Sequence, residues 1–488
     1  MTFQMIPHDK RLARLFLSVL LLAGAACTTA PAPATTPEPL PITVAPAEGV
    51  RLGVLVTTLG GETVFSDRAH ERFIPASNTK LFTAAAVMHF IQGVDQPDPA
   101  RATSLLLVPG EGEALPSLVL KGAGDATVRD GADCEANCLA ELADAVVSRG
   151  ITRVADVYGD DTVFPYEPWG LGWSWNNLPF YFGAPISALT VNGNAVALNV
   201  GPGSAEGEPV QAVWAAGDDL LSLRNEAVTG PPGSEPLLSV LRWPGSDEVQ
   251  LTGSVPADAA ARNYFLSVPD PAQSAAERLA RLLAARGVTI EGGVKVRSRT
   301  DQAPASAEEI ARLAAPPLMQ SIVNVLEDSD NLSAELLVRE LARATGGEGS
   351  EDGLDAVEAM LGQAGIGPGG VELFDGSGLS PYNRITPRST VQFLTWAAAQ
   401  PWGEAFRAAL PVGGQTGSLS RRFAGTPLEG RIFAKTGTVQ GVNALSGFML
   451  AASGETLVFS VIANDRPVDG DSAVPMIDAL LKQIAAAN

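Results

Sequence analysis

Apolar and polar positions predict a hairpin and then a helix in the first hundred residues. Strand-like apolar runs occupy residues 50–56 and 62–65, and Gly60-Gly61 lies between them, which favours an antiparallel hairpin. An Ala- and Leu-rich run at residues 81–88 follows Pro75. Because proline fits the first turn of a helix and alanine and leucine favour its continuation, a helix is predicted to begin at Pro75.

The C-terminal third carries the longest helical periodicity. Leu318, Ile322, Val325 and Leu326 recur at helical spacing, and a second helix is predicted at residues 332–344. Further along, the pattern predicts three strands and a closing helix, at residues 430–439, 442–451, 456–462 and 471–487. The Ser453-Gly454 turn between the last two strands favours antiparallel pairing.

The middle of the chain has a different character. Helical patterns at residues 138–149 and 273–286 each end in glycine before a strand-like run, and this repeated order predicts a small α/β module. Residues 191–256 are dominated by Gly, Pro and short strands, which predicts a β module nested within the first.

Composition narrows the classes of partner. The 488 residues are enough for two or three domains, and 46% hydrophobic with 18% charged residues is typical of a folded protein. Acidic residues outnumber basic ones by 54 to 33, for a net charge of −21. Because this field repels nucleic acid and anionic membrane surfaces, neither is expected as a main partner.

The N-terminus has the features of an export signal. Basic residues precede a short apolar stretch at 15–26, which predicts a secretory signal peptide over residues 1–26. Cys27 follows directly and resembles the lipidated cysteine of bacterial lipoprotein signals, although Gly24 stands where that pattern prefers a larger aliphatic residue. Ordinary cleavage that releases a soluble protein is the alternative. Residues 27–48, rich in Pro, Ala and Thr, are predicted to be an extended tether, so the mature protein is expected in the periplasm or cell envelope.

Two further cysteines, Cys134 and Cys138, lie close together in the chain. In an exported protein such a pair is expected to close a small disulfide. Two thiols without nearby histidines make a poor zinc site, so no metal is expected.

Three short polar motifs are candidates for chemistry: Ser77-Asn78-Thr79-Lys80, Ser329-Asp330-Asn331 and Lys435-Thr436-Gly437-Thr438. Each alone has an ordinary structural interpretation, as a helix cap or an exposed lysine. Ser77 and Lys80, however, are three residues apart and share one face of a predicted helix. A hydroxyl beside an amine at the positive end of a helix is a plausible nucleophile and base.

The sequence offers no better base than Lys80 and no motif of another common enzyme class. The histidines are His8, His70 and His89; His8 lies in the signal, and His89 is about 18 Å along the helix from Ser77. His70 is not excluded by distance, but Lys80 is better placed. No nucleophile-elbow, zinc-protease or P-loop motif occurs, and no cofactor is expected.

The three motifs together characterise penicillin-binding proteins and class A β-lactamases. From about residue 50 to 464 the chain resembles the low-molecular-weight class C penicillin-binding proteins, which are D-alanyl-D-alanine carboxypeptidases. The resemblance rests on the three motifs and on further segments, at residues 122–127, 186–189, 329–335, 375–380 and 410–414. Ala126 departs from the proline usual in that family.

This resemblance implies an α/β (α+β) fold, with an antiparallel sheet between helical layers as in β-lactamases and DD-peptidases. The catalytic domain would comprise residues 49–98 and 305–488. An α/β module at residues 99–190 and 257–304 would be inserted into it, with the β module at 191–256 nested in turn.

The resemblance also implies a serine DD-peptidase that removes D-Ala from peptidoglycan stem peptides ending in D-Ala-D-Ala, with DD-endopeptidase activity as a further reaction. Ser77 would form an acyl-enzyme, which β-lactam antibiotics would also form as inhibitors. Lys80 would be the base, its pKa lowered by burial and by Lys435. Ser329 would pass a proton to the leaving amine, and Asn331 and Lys435 would hold the substrate and the relay.

The same resemblance assigns the substrate contacts. Thr436 and Thr438 would bind the terminal carboxylate, and Gly437 would let the substrate run beside its strand. Backbone N–H groups of Ser77 and Thr438 would form the oxyanion hole.

Two alternatives remain at this stage. A β-lactamase would use the same motifs, but the chain lacks the Glu-x-x-Leu-Asn segment of class A enzymes, and the insertion is foreign to them. A non-catalytic cell-wall binding lipoprotein on the same fold is the other alternative, against which the intact motif residues argue.

Overall fold

The computed structural model describes residues 48–131, 133–215, 219–297, 306–467 and 470–488. Its strands are β1 (Arg51–Thr58), β2 (Thr63–Asp67), β3 (Ser104–Val108), β4 (Ser117–Lys121), β5 (Arg153–Asp160), β6 (Ala195–Gly201), β7 (Gln211–Trp214), β8 (Ser222–Asn225), β9 (Val228–Gly230), β10 (Ser239–Leu241), β11 (Glu248–Thr252), β12 (Ser254–Pro256), β13 (Arg262–Ser267), β14 (Thr289–Val296), β15 (Glu308–Arg312), β16 (Val371–Glu372), β17 (Arg384–Ile385), β18 (Ile432–Val439), β19 (Val442–Leu450) and β20 (Thr456–Asn464). Its α-helices are α1 (Lys80–Phe90), α2 (Leu139–Ser148), α3 (Pro271–Ala285), α4 (Leu318–Val323), α5 (Asn331–Thr345), α6 (Ser350–Gln363), α7 (Pro387–Ala398), α8 (Gly403–Ala408) and α9 (Val474–Ala487).

The central sheet is antiparallel, with strand order β18-β19-β20-β1-β2. Apolar residues along β20 alternate between two cores: Val458 and Ile462 face one, and Phe459 and Val461 face the other. The first core includes residues of α1, α5, α6 and α7, and the second includes residues of α9. The predicted sheet between helical layers is therefore confirmed.

Helix α1 lies inside the first core, and its residues from Lys80 to Met88 are buried. The helix begins later than predicted. A 3-10 helix, Ala76–Thr79, follows Pro75, and Ala76 has a φ of +49°, which an α-helix does not accommodate. Ser77 therefore lies in a tight turn just before α1 rather than within it.

A second sheet, of order β14-β5-β4-β3-β15, packs with α2 and α3 around a core of its own. A fourth core is formed mainly by residues of short strands between β6 and β13. These separate cores support the predicted modules, and we propose the same division with two boundaries moved.

The two boundaries differ because strands pair across them. β13 pairs with β6, so the nested module extends to about residue 267 rather than 256. β15 pairs with β3, so we propose that the inserted α/β module extends to about residue 312 and that the catalytic domain resumes after it rather than at 305. Short strand-like runs carry little register information, which is why the pattern alone did not assign these pairings.

Among the described residues, no helix is long and apolar enough to cross a membrane. The signal peptide, Cys27 and all but the last residue of the tether lie outside the described residues.

Candidate active site

The turn that carries Ser77 is held by close backbone packing. The side-chain amide of Asn78 donates to the Lys435 carbonyl at 3.1 Å, which ties the turn to β18. On the other side, Gly378 lies with φ +84°, and a Cβ there would stand 1.9 Å from the Ala76 carbonyl oxygen. The left-handed turn at Ala76 is thus fixed from two sides, and the half-buried Ser77 faces a cavity.

Lys80 reaches three oxygens from beneath this turn. Its Nζ lies 3.0 Å from Ser77 Oγ, 2.5 Å from Asn331 Oδ1 and 2.6 Å from the Ser377 carbonyl oxygen. Burial, which disfavours the charged form, lowers the pKa of Lys80 to about 8, while nearby carboxylates including Asp375 oppose the shift. With this pKa, roughly a tenth of Lys80 is neutral at pH 7, and this neutral form can act as a general base.

The Ser329-Asp330-Asn331 motif lies where a π-helical turn, Asn324–Asp328, meets α5. Ser329 has a left-handed φ of 64°, and Asp330 caps α5 by accepting from the Ser333 N–H at 2.6 Å. Asn331 donates its amide N–H to the Phe182 carbonyl at 2.7 Å, which turns its Oδ1 toward Lys80. Asp330 therefore caps the helix while its neighbour Asn331 contacts Lys80, so the same motif has a structural role and a contact in the site.

The third motif lies on β18, at the edge of the central sheet. Lys435 is fully buried, and its Nζ donates to the Thr436 carbonyl at 3.2 Å. Burial first, and then the charge on Lys80, hold the pKa of Lys435 well below its ordinary value. Thr436 Oγ1 donates to Ser418 Oγ at 2.9 Å, and Thr438 is exposed.

Gly437 has a structural reason to be glycine that its motif did not suggest. A Cβ at this position would lie 2.7 Å from the Pro75 carbonyl oxygen and 3.0 Å from Asn78 Nδ2. The missing side chain thus lets β18 pack against the Ser77 turn. Room for a substrate along the strand stays a prediction.

A cavity of about 910 Å³ opens beside these motifs. It is lined by Ile74, Ser77, Ser174, Asn176, Asn177, Tyr181, Phe182, Asp328, Ser329, Asp330, Asn331, Gly378, Leu379, Pro381, Thr438, Val439, Gln440 and Arg466. Residues of all three motifs therefore face one space, with Lys80 and Lys435 buried alongside it.

Two buried carboxylates, to which the sequence assigned no role, support the Lys80 contact. Glu335 Oε1 accepts the N–H groups of Gly376 (3.0 Å) and Ser377 (2.9 Å), whose carbonyl binds Lys80. Burial, followed by the charge of Asp375, raises the pKa of Glu335 to about 7. Asp375 accepts from the Gly378 N–H at 2.8 Å and the Ser380 N–H at 2.6 Å, so it fixes the same loop.

The inserted module also reaches the site. Trp173 Nε1 donates to Asp375 Oδ2 at 2.9 Å, and Ser380 Oγ donates to the Leu171 carbonyl at 2.7 Å. Together with the Phe182 carbonyl on Asn331, these bonds connect residues 171–182 to two of the loops around Lys80. The only hint in the sequence is the high aromatic content of this segment.

The two histidines considered as bases from the sequence lie outside this cavity. His70 is exposed and lines a different cavity, and His89 contacts Gln363 at 3.0 Å.

Cys134 and Cys138 are joined by a disulfide with Sγ atoms 2.14 Å apart, next to α2.

Comparison with known proteins identifies the family. The family model for D-Ala-D-Ala carboxypeptidase 3 (S13) matches residues 42–487. The chain belongs to the D-Ala-D-Ala carboxypeptidase 3 (S13) family. A family relative, the D-alanyl-D-alanine carboxypeptidase of an Actinomadura species, is 35% identical over 455 residues, covering 90% of this chain and 82% of the relative.

The fold of this family member matches penicillin binding protein 4 of Haemophilus influenzae, with a TM-score of 0.77 and 24% identity over 90% of this chain and 96% of that one. The same H. influenzae protein, solved in complex with a novel β-lactam, matches with a TM-score of 0.72 and 23% identity over the same shares. The resemblance stated from the sequence motifs is confirmed.

Proposed function

We propose that this protein is a serine D-Ala-D-Ala carboxypeptidase that acts on peptidoglycan stem peptides and is acylated by β-lactams at Ser77. The observation that carries the proposal is the position of Lys80 Nζ, within 3.0 Å of both Ser77 Oγ and Asn331 Oδ1. Family membership and the names of its relatives support the reaction and the substrate. The β-lactam complex of the H. influenzae protein supports the inhibitor class.

Acylation begins at Ser77. Its Oγ attacks the carbonyl carbon of the penultimate D-Ala, and its proton passes to neutral Lys80 Nζ. The N–H groups of Ser77 and Thr438 stabilise the oxyanion. As the C–N bond breaks, Ser329 passes a proton to the nitrogen of the leaving D-Ala, and water then hydrolyses the ester to restore Ser77. Lys435, a buried residue of β18 whose carbonyl accepts from the Asn78 side chain, holds the Ser77 turn against that strand and so keeps the relay in register.

The substrate binds along β18. This strand lies at the edge of the central sheet, where an extended peptide can pair with the backbone. Thr436 and Thr438 supply hydroxyls for the terminal carboxylate, and the exposed Thr438 faces the cavity. Gly437 contributes by allowing β18 to approach the Ser77 turn.

This carboxylate contact predicts a preference for free acids. A hydrogen bond to a charged group contributes about 1.5–3 kcal/mol, so wild-type kcat/KM should be about ten- to hundredfold higher for a D-Ala-D-Ala peptide than for its C-terminal amide. Thr438→Val should reduce that ratio by slowing the acid more than the amide. The measurement is steady-state hydrolysis of both peptides by both proteins.

Lys435→Ala serves as the comparison in that experiment, because loss of the buried lysine should slow both peptides together. Equal wild-type rates for acid and amide would show that β18 does not bind a carboxylate.

The N-terminal assignments remain part of the proposal. We infer export through the signal at residues 1–26, lipidation of Cys27, and residues 27–48 as a tether that holds the enzyme at the cell envelope. Peptidoglycan as substrate supports a location outside the cytoplasm. Cleavage without lipidation is the alternative, and mass spectrometry of the mature N-terminus distinguishes the two.

Export also predicts the state of the cysteine pair. Cys134 and Cys138 should be oxidised to each other in protein taken from the cell envelope. Alkylation of the native protein followed by mass spectrometry should find neither thiol free, whereas the reduced protein should take up two alkyl groups. Two alkylated cysteines without reduction would contradict the prediction.

DD-endopeptidase activity is a second candidate, because the cavity of about 910 Å³ has room for more than a terminal dipeptide. Neither a β-lactamase nor a non-catalytic scaffold gains support from the family relationship. A fluorescent penicillin and a D-Ala-D-Ala peptide separate the classes. Stable labelling with release of D-Ala supports a carboxypeptidase, rapid penicillin turnover a β-lactamase, and neither reaction a scaffold.

A further inference from the structure

Two tryptophans distant in sequence form an exposed pair. The rings of Trp175 and Trp243 stack with centroids 5.3 Å apart and planes 4° from parallel. Their relative exposures are 47% and 53%, so each ring keeps much of its surface in water. Large exposed aromatic surfaces of this kind are typical of binding sites, because they provide rigid contact area at low entropic cost.

A hydrogen-bond network connects the two segments that carry these tryptophans. Arg242, next to Trp243, donates to the Ser246 carbonyl (3.0 Å) and to Ser267 Oγ (2.6 Å) at the end of β13. Ser267 Oγ donates in turn to the Leu178 carbonyl, three residues from Trp175. These hydrogen bonds hold the two backbone segments together and so favour the stacked arrangement of the rings.

Trp175 lies between two residues that line the active-site cavity. Ser174 and Asn176, which flank Trp175 in the chain, both line that cavity, as does Asn177. An aromatic surface beside a hydroxyl and two carboxamides offers ring faces for apolar contact and polar groups for hydrogen bonds. Such a combination suits a pyranose ring, whose C–H face is apolar and whose edge carries hydroxyl and acetamido groups.

We propose that the Trp175–Trp243 surface binds the N-acetylated glycan strand to which the stem peptide is attached. The inference rests on the proposed function, since that substrate carries the glycan covalently. Four extended residues between the scissile bond and the sugar span about 14 Å, so the glycan is expected to bind outside the immediate surroundings of Ser77. The net charge of −21 disfavours an anionic membrane as the occupant.

The test compares substrates with and without the glycan. Trp175→Ala combined with Trp243→Ala should lower kcat/KM about three- to tenfold on a glycan-linked pentapeptide, which is the size of effect expected for a lost aromatic stacking contact. The kcat/KM on the free pentapeptide should be unchanged. Val213→Ala, which alters an exposed apolar residue on the same nested module, should affect neither substrate.

Direct binding gives a second measurement. Ser77→Ala protein should be retained on glycan strands stripped of their peptides, and adding both tryptophan substitutions should weaken retention by about the same three- to tenfold factor. If the double variant unfolds, Trp175→Tyr, which keeps an aromatic ring, and Trp175→Ala form the comparison, and only the alanine should weaken retention.

The outcomes distinguish this proposal from the proposed function. Equal losses on both substrates, or no loss on either, would overturn glycan binding while leaving the peptidase intact. Failure of wild-type protein to cleave the free pentapeptide would overturn the peptidase, whereas retention on stripped glycan would still report on the tryptophan surface.

Discussion

Ser77→Ala should abolish covalent labelling by a fluorescent penicillin, because no other hydroxyl in the described part of the cavity is hydrogen-bonded to a lysine amine. Lys80→Ala should slow labelling by about 10²- to 10⁴-fold, the usual contribution of a general base. Rates of labelling and of D-Ala release measure both effects. Circular dichroism should show that both variants remain folded.

His70→Ala is the matched control for the base. This histidine is exposed and lines a separate cavity, so its loss should leave labelling unchanged. If His70→Ala removed activity and Lys80→Ala preserved it, the assignment of the base would be wrong.

Glu335→Leu should destabilise the protein by about 3–5 kcal/mol, because it leaves the buried Arg339 without this carboxylate and two N–H groups without an acceptor. Denaturant unfolding measures the loss. Labelling by penicillin should also slow, since the Ser377 carbonyl that binds Lys80 loses its support. Unchanged unfolding free energy would show that this carboxylate does not hold the loop.

The milder substitution Glu335→Gln tests how the negative charge of Glu335 affects the pKa of Lys80. Activity that requires neutral Lys80 should rise with pH through about 8 in the wild type. The negative charge of Glu335 raises the pKa of Lys80, so removing that charge should lower this pKa and move the rise in kcat/KM to lower pH. The shift should be seen above about pH 7, where Glu335 is ionised in the wild type.

Glu340→Gln is the control for this pH profile. Glu340 lies on the same helix, is also buried and pairs with Arg101 and Arg343, but it is not a charge that sets the pKa of Lys80. Its loss should reduce stability without moving the profile. An identical shift in both glutamine variants would mean that the effect is not specific to the Lys80 environment.

Regular elements were predictable because they depend on local periodicity. Residues 332–344 were predicted as a helix that the structure places at Asn331–Thr345, and the predicted strand at 456–462 is Thr456–Asn464. The left-handed turn at Ala76 was not predictable. It depends on contact with Gly378, about three hundred residues away, and not on its neighbours in the chain.

The candidate site also combines residues that the sequence predicted with contacts that it could not predict. Ser77, Lys80 and Asn331 could be named because three short motifs occur together in one chain, although each alone has an ordinary structural interpretation. The support that Glu335 gives to Lys80 passes through the backbone of Gly376 and Ser377, about forty residues away, and no spacing rule reveals such a contact. Gly437 was assigned to the substrate, whereas its closest constraint is the Pro75 carbonyl.

The contacts of Trp173 and Phe182 change how the insertion should be regarded in engineering. A shortened chain, with the inserted residues excised and a short linker in their place, would retain the central sheet and its helices. Asn331 would then lack the carbonyl that orients its amide, and Asp375 would lack the indole N–H. A minimal peptidase cannot be made from this chain by trimming alone; the segment at residues 171–182 must be kept, or its three hydrogen bonds to the loops around Lys80 rebuilt from another source.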